Sequence, residues 1–436
     1  MYGLSWYVLY VFSFIKRKVP RWSLISFISF FLRSKIRPEI SDTQFGFVAD
    51  KGTRNAIFTL TSIMERCIEM KKDLFLCFID YSKAFDKVQH TKLFNILHSL
   101  DIDGKDLRLL QNLYWEQEAA IRIEGEHSDY RPIRRGVRQG CVISPDLFNL
   151  YSEIILRHIE DLEGVKIGGQ NMTNLRYADD TVLIADSVNK LQDILNVVVI
   201  KSEEMGLELN VGKTECMSIS KKKVPPPCHL ISKGIRIKEV NKFKYLGFTI
   251  SSDGKSEHEI KKRIGMAKET FNKMGPILKQ RNISLATKNR IIKAYVWSVL
   301  TYGFECWNIS KTLEARINAV EIWFLRRMLK IPWTEKKSNK QVLNTAKTTR
   351  SLLKNIRKRQ MQFVGHINRH GSLEKLALLG KVEGKRDRGK QRKTYLQTLN
   401  TWATGNRITN NDFIHASDDR KRWKLMTADA WNRPGT

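Results

Sequence analysis

Two aspartates stand side by side inside a largely apolar run, "LRYADDTVLIAD" (175–186). If Asp179 and Asp180 were both ionised and buried, each would disfavour the other. A third carboxylate, Asp80, closes another short apolar run, "KDLFLCFID" (72–80). Mg2+ prefers a few carboxylate oxygens, with water and phosphate completing its octahedron. Two such ions roughly 4 Å apart hold the attacking and leaving oxygens of an in-line phosphoryl displacement. Their charge also offsets the repulsion between neighbouring acids. These residues therefore suit metal-assisted phosphoryl transfer if Asp80 meets the pair in space. Spacing alone leaves that convergence open, and a turn aspartate taken singly is more often structural than catalytic.

The elements that must position them follow from periodicity. "KDLFLCFID" reads as a buried strand ending at Asp80. Leu175–Ala178 and Thr181–Ala185 read as the two strands of a hairpin, with Asp179-Asp180 at the connection. Alternation makes 119–125 a strand. Helical spacing is expected over 91–100, over 145–162 with Pro145 in the first turn, and over 190–206 with Gly206 as the stop. Short strands follow in "LELN", "CMSIS", "IRIKEV" and "FKYLGFTI" (243–250), with "KKKVPPPC" (221–228) as a loop. Beyond 250 the pattern turns helical. Ser256 and Glu259 match a capping box, and Ile260, Ile264, Ala267, Phe271 and Met274 form one apolar stripe. Further helices span 284–302 and 310–331, the second stopping at Pro332.

A chain of 436 residues has room for two or three domains. With 42% hydrophobic residues it is not disordered, and 76 Lys and Arg against 45 Asp and Glu leave it at +31. A chain this basic attracts polyanions, nucleic acid above all. The charge peaks over 350–393, where 14 Lys or Arg face three acids. Its densest part, "EGKRDRGKQRK" (383–393), reads as a solvated, flexible polyanion-binding stretch. The six cysteines are scattered without a CxxC pair, which argues against a disulfide framework or a cysteine zinc site. His366 and His370, four apart, lack a neighbouring acidic or cysteine partner in sequence, and packed or solvated histidines are the simpler reading. The uncharged run 2–15 and the run 22–32 fall short of the ~18–20 apolar residues of a spanning helix, so membrane association through them is not the favoured reading.

Five segments in order carry a closer likeness: "FIDYSKAFDKV" (78–88), "GVRQGCVISPDLFNLY" (136–151), "YADD" (177–180), "GLELNVGKTE" (206–215) and "FKYLGFTI" (243–250). They resemble the successive palm motifs of the reverse transcriptases of non-LTR, LINE-like retrotransposons. "QFGFVADKGTRNAI" (44–57) resembles the fingers motif just upstream. The likeness spans about 40–250.

The resemblance implies an α/β (α+β) right-hand polymerase: fingers and an antiparallel palm sheet backed by helices (37–250), a helical thumb (251–345) and a basic C-terminal region (346–436). Residues 1–36 are expected to be a leader outside the core. The implied activity is RNA-directed DNA polymerisation, adding deoxynucleotides from dNTPs to a primer 3′-OH with two Mg2+ ions, or Mn2+ in their stead. The implied partners are an RNA template, a DNA primer and dNTPs.

Residue by residue, the likeness makes Asp80, Asp179 and Asp180 the metal-binding catalytic acids. Lys213 becomes the lysine near the triphosphate that helps protonate pyrophosphate. Phe85 resembles the steric gate under the incoming sugar, where a ring collides with a 2′-OH, and Ala84 floors the same pocket. Arg138, Gln139 and Gly140 resemble the motif along the template and nascent base pair. Tyr245, Leu246 and Gly247 resemble the primer grip, and Arg54 lies where the fingers approach nucleotide or template. The sequence departs from the pattern in lacking an endonuclease domain and a clear "RPI"-like fingers stretch, as a 5′-truncated frame would, so a separate endonuclease is an expected partner. Cytoplasm and nucleus are the expected locations. The alternative reading is a catalytically impaired relic acting only as a basic RNA- or DNA-binding protein.

Overall fold

The computed structural model describes residues 32–432 apart from Asp101, Asp103, Trp115, Glu116, Asp387 and Lys390. The elements that frame the acids run in this order: α1 (Thr53–Glu69), β1 (Leu74–Ile79), α2 (Ala84–Lys87), α3 (Ser144–Arg157), β2 (Asn174–Tyr177), β3 (Asp180–Ala185), α4 (Val188–Glu204), β4 (Glu215–Ile219) and β5 (Lys238–Glu239). A hairpin of β6 (Lys242–Tyr245) and β7 (Phe248–Ser251) then leads into α5 (Glu257–Lys273), α6 (Lys311–Met328), α7 (Leu352–Arg369), α8 (Leu373–Leu379) and α9 (Tyr395–Thr404).

The main sheet has the order β5-β4-β1-β3-β2. All its pairings are antiparallel except the two-residue β4–β5 contact, which is parallel and departs from the uniformly antiparallel sheet expected. All six residues of β1 are buried because both of its faces are covered. Leu74, Leu76 and Phe78 join Leu175, Val182 and Ile184 in a core under α1, while Phe75, Cys77 and Ile79 join Leu183 and Ala185 in a second core under α3 and α4. Alternate side chains thus enter different cores, which is why the strand reads as an unbroken apolar run.

Several local expectations need correction. The strand expected over 119–125 is a set of two-residue pieces in an exposed ribbon, since no core lies beside it to reward the alternation. The capping box at Ser256 does not form. Glu259 turns inward to Arg263, and the Ser256 hydroxyl instead accepts the Asn308 N–H at 3.1 Å. The helix expected over 284–302 is broken into α-helical pieces around a π-helical stretch at Ile292–Val296.

The apolar runs 2–15 and 22–31 lie outside the described residues. Leu32 and Ile36, one helical turn apart, pack into the second core at 0% and 1% exposure, and Arg33 donates to Asp146 at 2.9 Å. The described end of the expected leader is therefore core structure. Among the described residues no helix is long and apolar enough to cross a membrane.

The described residues of the basic stretch 383–393 are almost all exposed, and two of its arginines have partners on the folded body. Arg386 pairs with Glu69 at 2.6 Å, and Arg392 donates to the Gly254 carbonyl at 2.8 Å. The carboxylate and carbonyls it meets belong to the end of α1 and the turn after β7, contacts that only the folded chain brings near.

Candidate active site

The register of three strands gathers the acids. Ile79 at the end of β1 pairs with Thr181, so Asp80 follows alongside Asp180. Tyr177 pairs with Asp180 across the β2–β3 hairpin. The two-residue turn is therefore Ala178-Asp179, one position earlier than expected, with Asp180 the first residue of β3. Ala178 takes the left-handed conformation (φ 58°) that such a tight reversal demands.

The carboxylates feel one another. Burial raises the Asp179 carboxyl, and the field of Asp80 adds to the shift. Asp180 keeps a solvent-facing side chain, yet the protein mass around it removes enough water to raise its carboxyl. Asp179 and then Asp80 push it further, to about 6. Among the described residues no group of three His, Cys, Asp or Glu side chains is drawn close enough to hold an ion as it stands. The three acids stand at the same end of adjacent strands without closing into a ligand cage. The donor chemistry still fits a hard divalent cation: it is all-oxygen, and Asp179 and Asp180, raised by burial and then by the field of Asp80, are carboxylates whose charge a cation would relieve.

Two loops brace Asp80 and the residues around it. The Asp80 N–H reaches Thr214 Oγ1 at 3.4 Å, and its carbonyl accepts from the Asn210 N–H at 2.8 Å. Lys213 sits exposed on that same turn, its N–H held by the Asn210 carbonyl at 3.1 Å. Beyond Asp80 the chain turns through Lys83, at φ 53°, into α2. There Ala84 is buried and Phe85 is half-buried, its ring stacked on Phe148 with centroids 4.1 Å apart. The Phe85 carbonyl accepts from Val137 at 2.9 Å and the Val88 carbonyl from Gly136 at 2.7 Å. A Cβ on Gly136 would meet the Asp86 backbone at 3.1 Å, and its φ is +95°, so glycine lets these two segments lie together. Arg138, Gln139 and Gly140 follow directly, half-buried in the first case and exposed in the others. From the far side comes Tyr245, buried, its phenol raised by burial and by Asp180, its Oη without a hydrogen-bond partner. Leu246 and Gly247 make the turn beyond it, at φ 47° and 78°.

Arg54 leads elsewhere. Its guanidinium lies over the Phe363 ring of α7 at 5.3 Å, so its contacts are with the C-terminal region rather than the carboxylates. What the sequence reading missed is the cradle behind the hairpin. Gln44 Oε1 accepts from Gly46 at 2.8 Å and from Ala178 at 3.0 Å. Phe45 N–H donates to the Arg176 carbonyl at 2.8 Å, and Asn149 donates to the Gly46 carbonyl at 2.8 Å. Arg176, 1% exposed, pairs with Glu153 at 2.9 Å. A charged residue between Leu175 and Tyr177 in a strand expected to be buried was the available clue, since a buried arginine requires a partner.

Known proteins resemble this chain over the same ground. A family model described as reverse transcriptase (RNA-dependent DNA polymerase) matches residues 24–250. A transposon-derived protein of Caenorhabditis elegans is 29% identical over 215 residues, covering 47% of this chain and 75% of its own. The Pol polyprotein of the type-2 retrotransposable element R2DM of Drosophila melanogaster is 24% identical over 66% of this chain and 27% of its own. The RNA-directed DNA polymerase of the mobile element jockey of Drosophila melanogaster is 25% identical over 66% of this chain and 32% of its own. The chain thus spans about a third or less of those two retrotransposon proteins. Among solved structures, a telomerase of Candida tropicalis with a fragment of telomeric RNA superposes with a TM-score of 0.38 at 13% identity, over 82% of this chain and 55% of its own.

Proposed function

Because this chain belongs to the reverse transcriptase family and is related to the R2 and jockey retrotransposon enzymes, we propose that it extends a DNA primer along an RNA template from dNTPs. One observation carries the reading: the β1–β3 and β2–β3 registers bring Asp80, Asp179 and Asp180 to one end of the sheet, where the field of Asp80 acts on both of the others. In this reading the three acids hold two Mg2+ ions, or Mn2+, which stabilise charge on the attacking 3′-oxygen and the leaving pyrophosphate when bound.

The rest is the work of the chain's own residues. Lys213, exposed on the turn that grips the Asp80 backbone, offers a proton to the departing pyrophosphate. Phe85, fixed by stacking on Phe148, presents its ring against the sugar and rejects a 2′-OH, with Ala84 as the floor beside it. The backbone of Arg138, Gln139 and Gly140 lies along the nascent base pair, hydrogen-bonded through its lead-in to the Phe85 segment. Tyr245, Leu246 and Gly247 seat the primer end beside Asp180. Arg54 has no part in this account, since its contacts run to α7.

The test is primer extension by the full chain on an RNA–DNA hybrid with dNTPs and Mg2+, beside Asp179→Asn. Extension that the variant loses by at least about 1,000-fold, with hybrid binding retained, bears the reading out. Tight, salt-sensitive binding of the hybrid by a wild-type chain that never extends it sinks the catalytic reading and leaves a nucleic-acid-binding protein.

A further inference from the structure

The turn that seats the primer end in this reading is not self-supporting. Leu246 and Gly247 are both left-handed, a conformation leucine adopts only under compulsion. The compulsion comes from the helical region. Tyr302 Oη donates to the Leu246 carbonyl at 2.5 Å, and the Arg263 guanidinium donates to the Gly247 carbonyl. Arg263 also lies over the Tyr302 ring, 4.4 Å from its centroid, so the two donors orient each other.

Glu259, 0% exposed, completes the arrangement. One of its oxygens accepts from Arg263 Nε at 2.5 Å, and the other accepts from the Thr249 N–H on β7 at 2.9 Å. Next to Tyr302, Gly303 at φ 66° leaves room for the Phe248 ring: a Cβ there would stand 2.8 Å from it. The hairpin's tip and its second strand are thus held at three points by α5 and the segment after Ile292–Val296. The hairpin also packs on the strand that ends at Asp80: Phe78 of β1 stacks on Phe243 of β6 with centroids 3.9 Å apart and lies 6.1 Å from the Tyr245 ring.

We propose that Arg263 and Tyr302 are positioning residues, whose hold on the Leu246 and Gly247 carbonyls fixes the primer terminus against the acids and couples it to the thumb. The inference rests on the polymerase reading above. A carbonyl pair locked from behind cannot swing toward the nucleic acid, so the strand end meets a rigid surface. Neither side chain touches the reacting atoms.

Steady-state extension by Tyr302→Phe and Arg263→Lys tests this, with primer–template and dNTP varied separately. Tyr302→Phe removes one donor and keeps the ring; Arg263→Lys keeps the charge and loses the fork. The expected result is a KM for primer–template raised roughly five- to tenfold in each, an unchanged KM for dNTP, and a kcat within about twofold at saturating primer. Preference for recessed 3′ ends over blunt duplex, read by equilibrium binding, should fall in parallel while the Tm of Tyr302→Phe holds. A primer KM equal to wild type, or a fall in kcat with primer KM unchanged, overturns the proposal. If the wild-type chain neither extends primers nor prefers recessed ends, the polymerase reading itself has failed, and this proposal with it.

Discussion

At the scale of single residues, Glu65 shows how the fold makes an acid serve structure instead of chemistry. The residue keeps some exposure, but its carboxylate is enclosed where α1 meets the start of α9. There it accepts from the Tyr395 N–H through both oxygens at 3.0 Å and from Asn308 at 2.7 Å. Burial raises its pKa above 4.5, and those hydrogen bonds, with Arg392 and Arg66, pull back only part of the shift. A folded-state pKa above the unfolded one means the folded chain binds more protons between the two values. Stability from this group is therefore fully present below about 4.5 and declines as pH rises through the folded value. Glu65→Gln should melt higher than wild type at pH 8, with the gap closing toward pH 4. A gap that stays constant with pH, or a variant that melts lower at pH 8, would count against this account. In the sequence Glu65 is an ordinary helical glutamate, and no spacing rule separates it from a solvated one. Asp80, Asp179 and Asp180 were legible because each interrupts or ends an apolar run, where a charge is costly unless it has a use.

At the scale of elements, the acids depend on a hairpin with little to hold it from its own sequence. Ala178 is forced to positive φ, and β2 is an edge strand of four residues. The support is Gln44-Phe45-Gly46, which runs against the strand from outside and pairs with Arg176. Gly46 is indispensable to that approach: a Cβ there would lie 2.3 Å from the Ala178 nitrogen and 2.9 Å from the Tyr177 carbonyl carbon. Backbone on both sides cannot yield, so Gly46→Ala must push the two segments apart. The expected cost is about 1–3 kcal/mol of stability, and a hairpin displaced by an ångström loses roughly a hundredfold in extension rate. Thermal melts and single-turnover extension would check both; a Gly46→Ala chain with wild-type rate would show that the cradle does not set the acids' position. The strands and long helices were readable from period and stop residues, because those signals are local. The cradle was not, since it joins residues over 100 positions apart and leaves no periodic trace. The capping box failed for a different reason: Glu259 has competing partners close in sequence, Arg263 one turn on and the Thr249 N–H of β7, and they take it from the Ser256 backbone.

At the scale of the whole molecule, the basic C-terminal region packs against α1. Phe58 of α1, 1% exposed, meets Phe363 of α7 edge-on at 5.1 Å and Tyr395 of α9 at 5.5 Å. Asn55 donates to the buried Glu374 at 2.7 Å, Arg66 donates to the Leu378 carbonyl, and Gly168 N–H donates to the Lys381 carbonyl at 2.7 Å. Part of the charge that suggested a polyanion tail is used internally: Arg357, 1% exposed, binds Glu314 of α6 at 2.8 Å and the Ile309 carbonyl at 3.1 Å. Composition reports how many cations a segment carries and not which way they face, so the excess of charge was legible and its partial burial was not. A chain ending at 345 would strip the cover from one face of α1. Uncovering a single large core aromatic costs about 1.5–3 kcal/mol, and several such side chains lose their cover at once, against a typical total of roughly 5–15 kcal/mol. The truncated chain should therefore lose cooperative unfolding and bind a hydrophobic dye, while limited proteolysis of the full chain spares the 346–352 junction. A truncated chain that melts cooperatively near the wild-type Tm would instead establish 346–436 as a separable domain, and the contacts to α1 as a docking surface between two independently stable units.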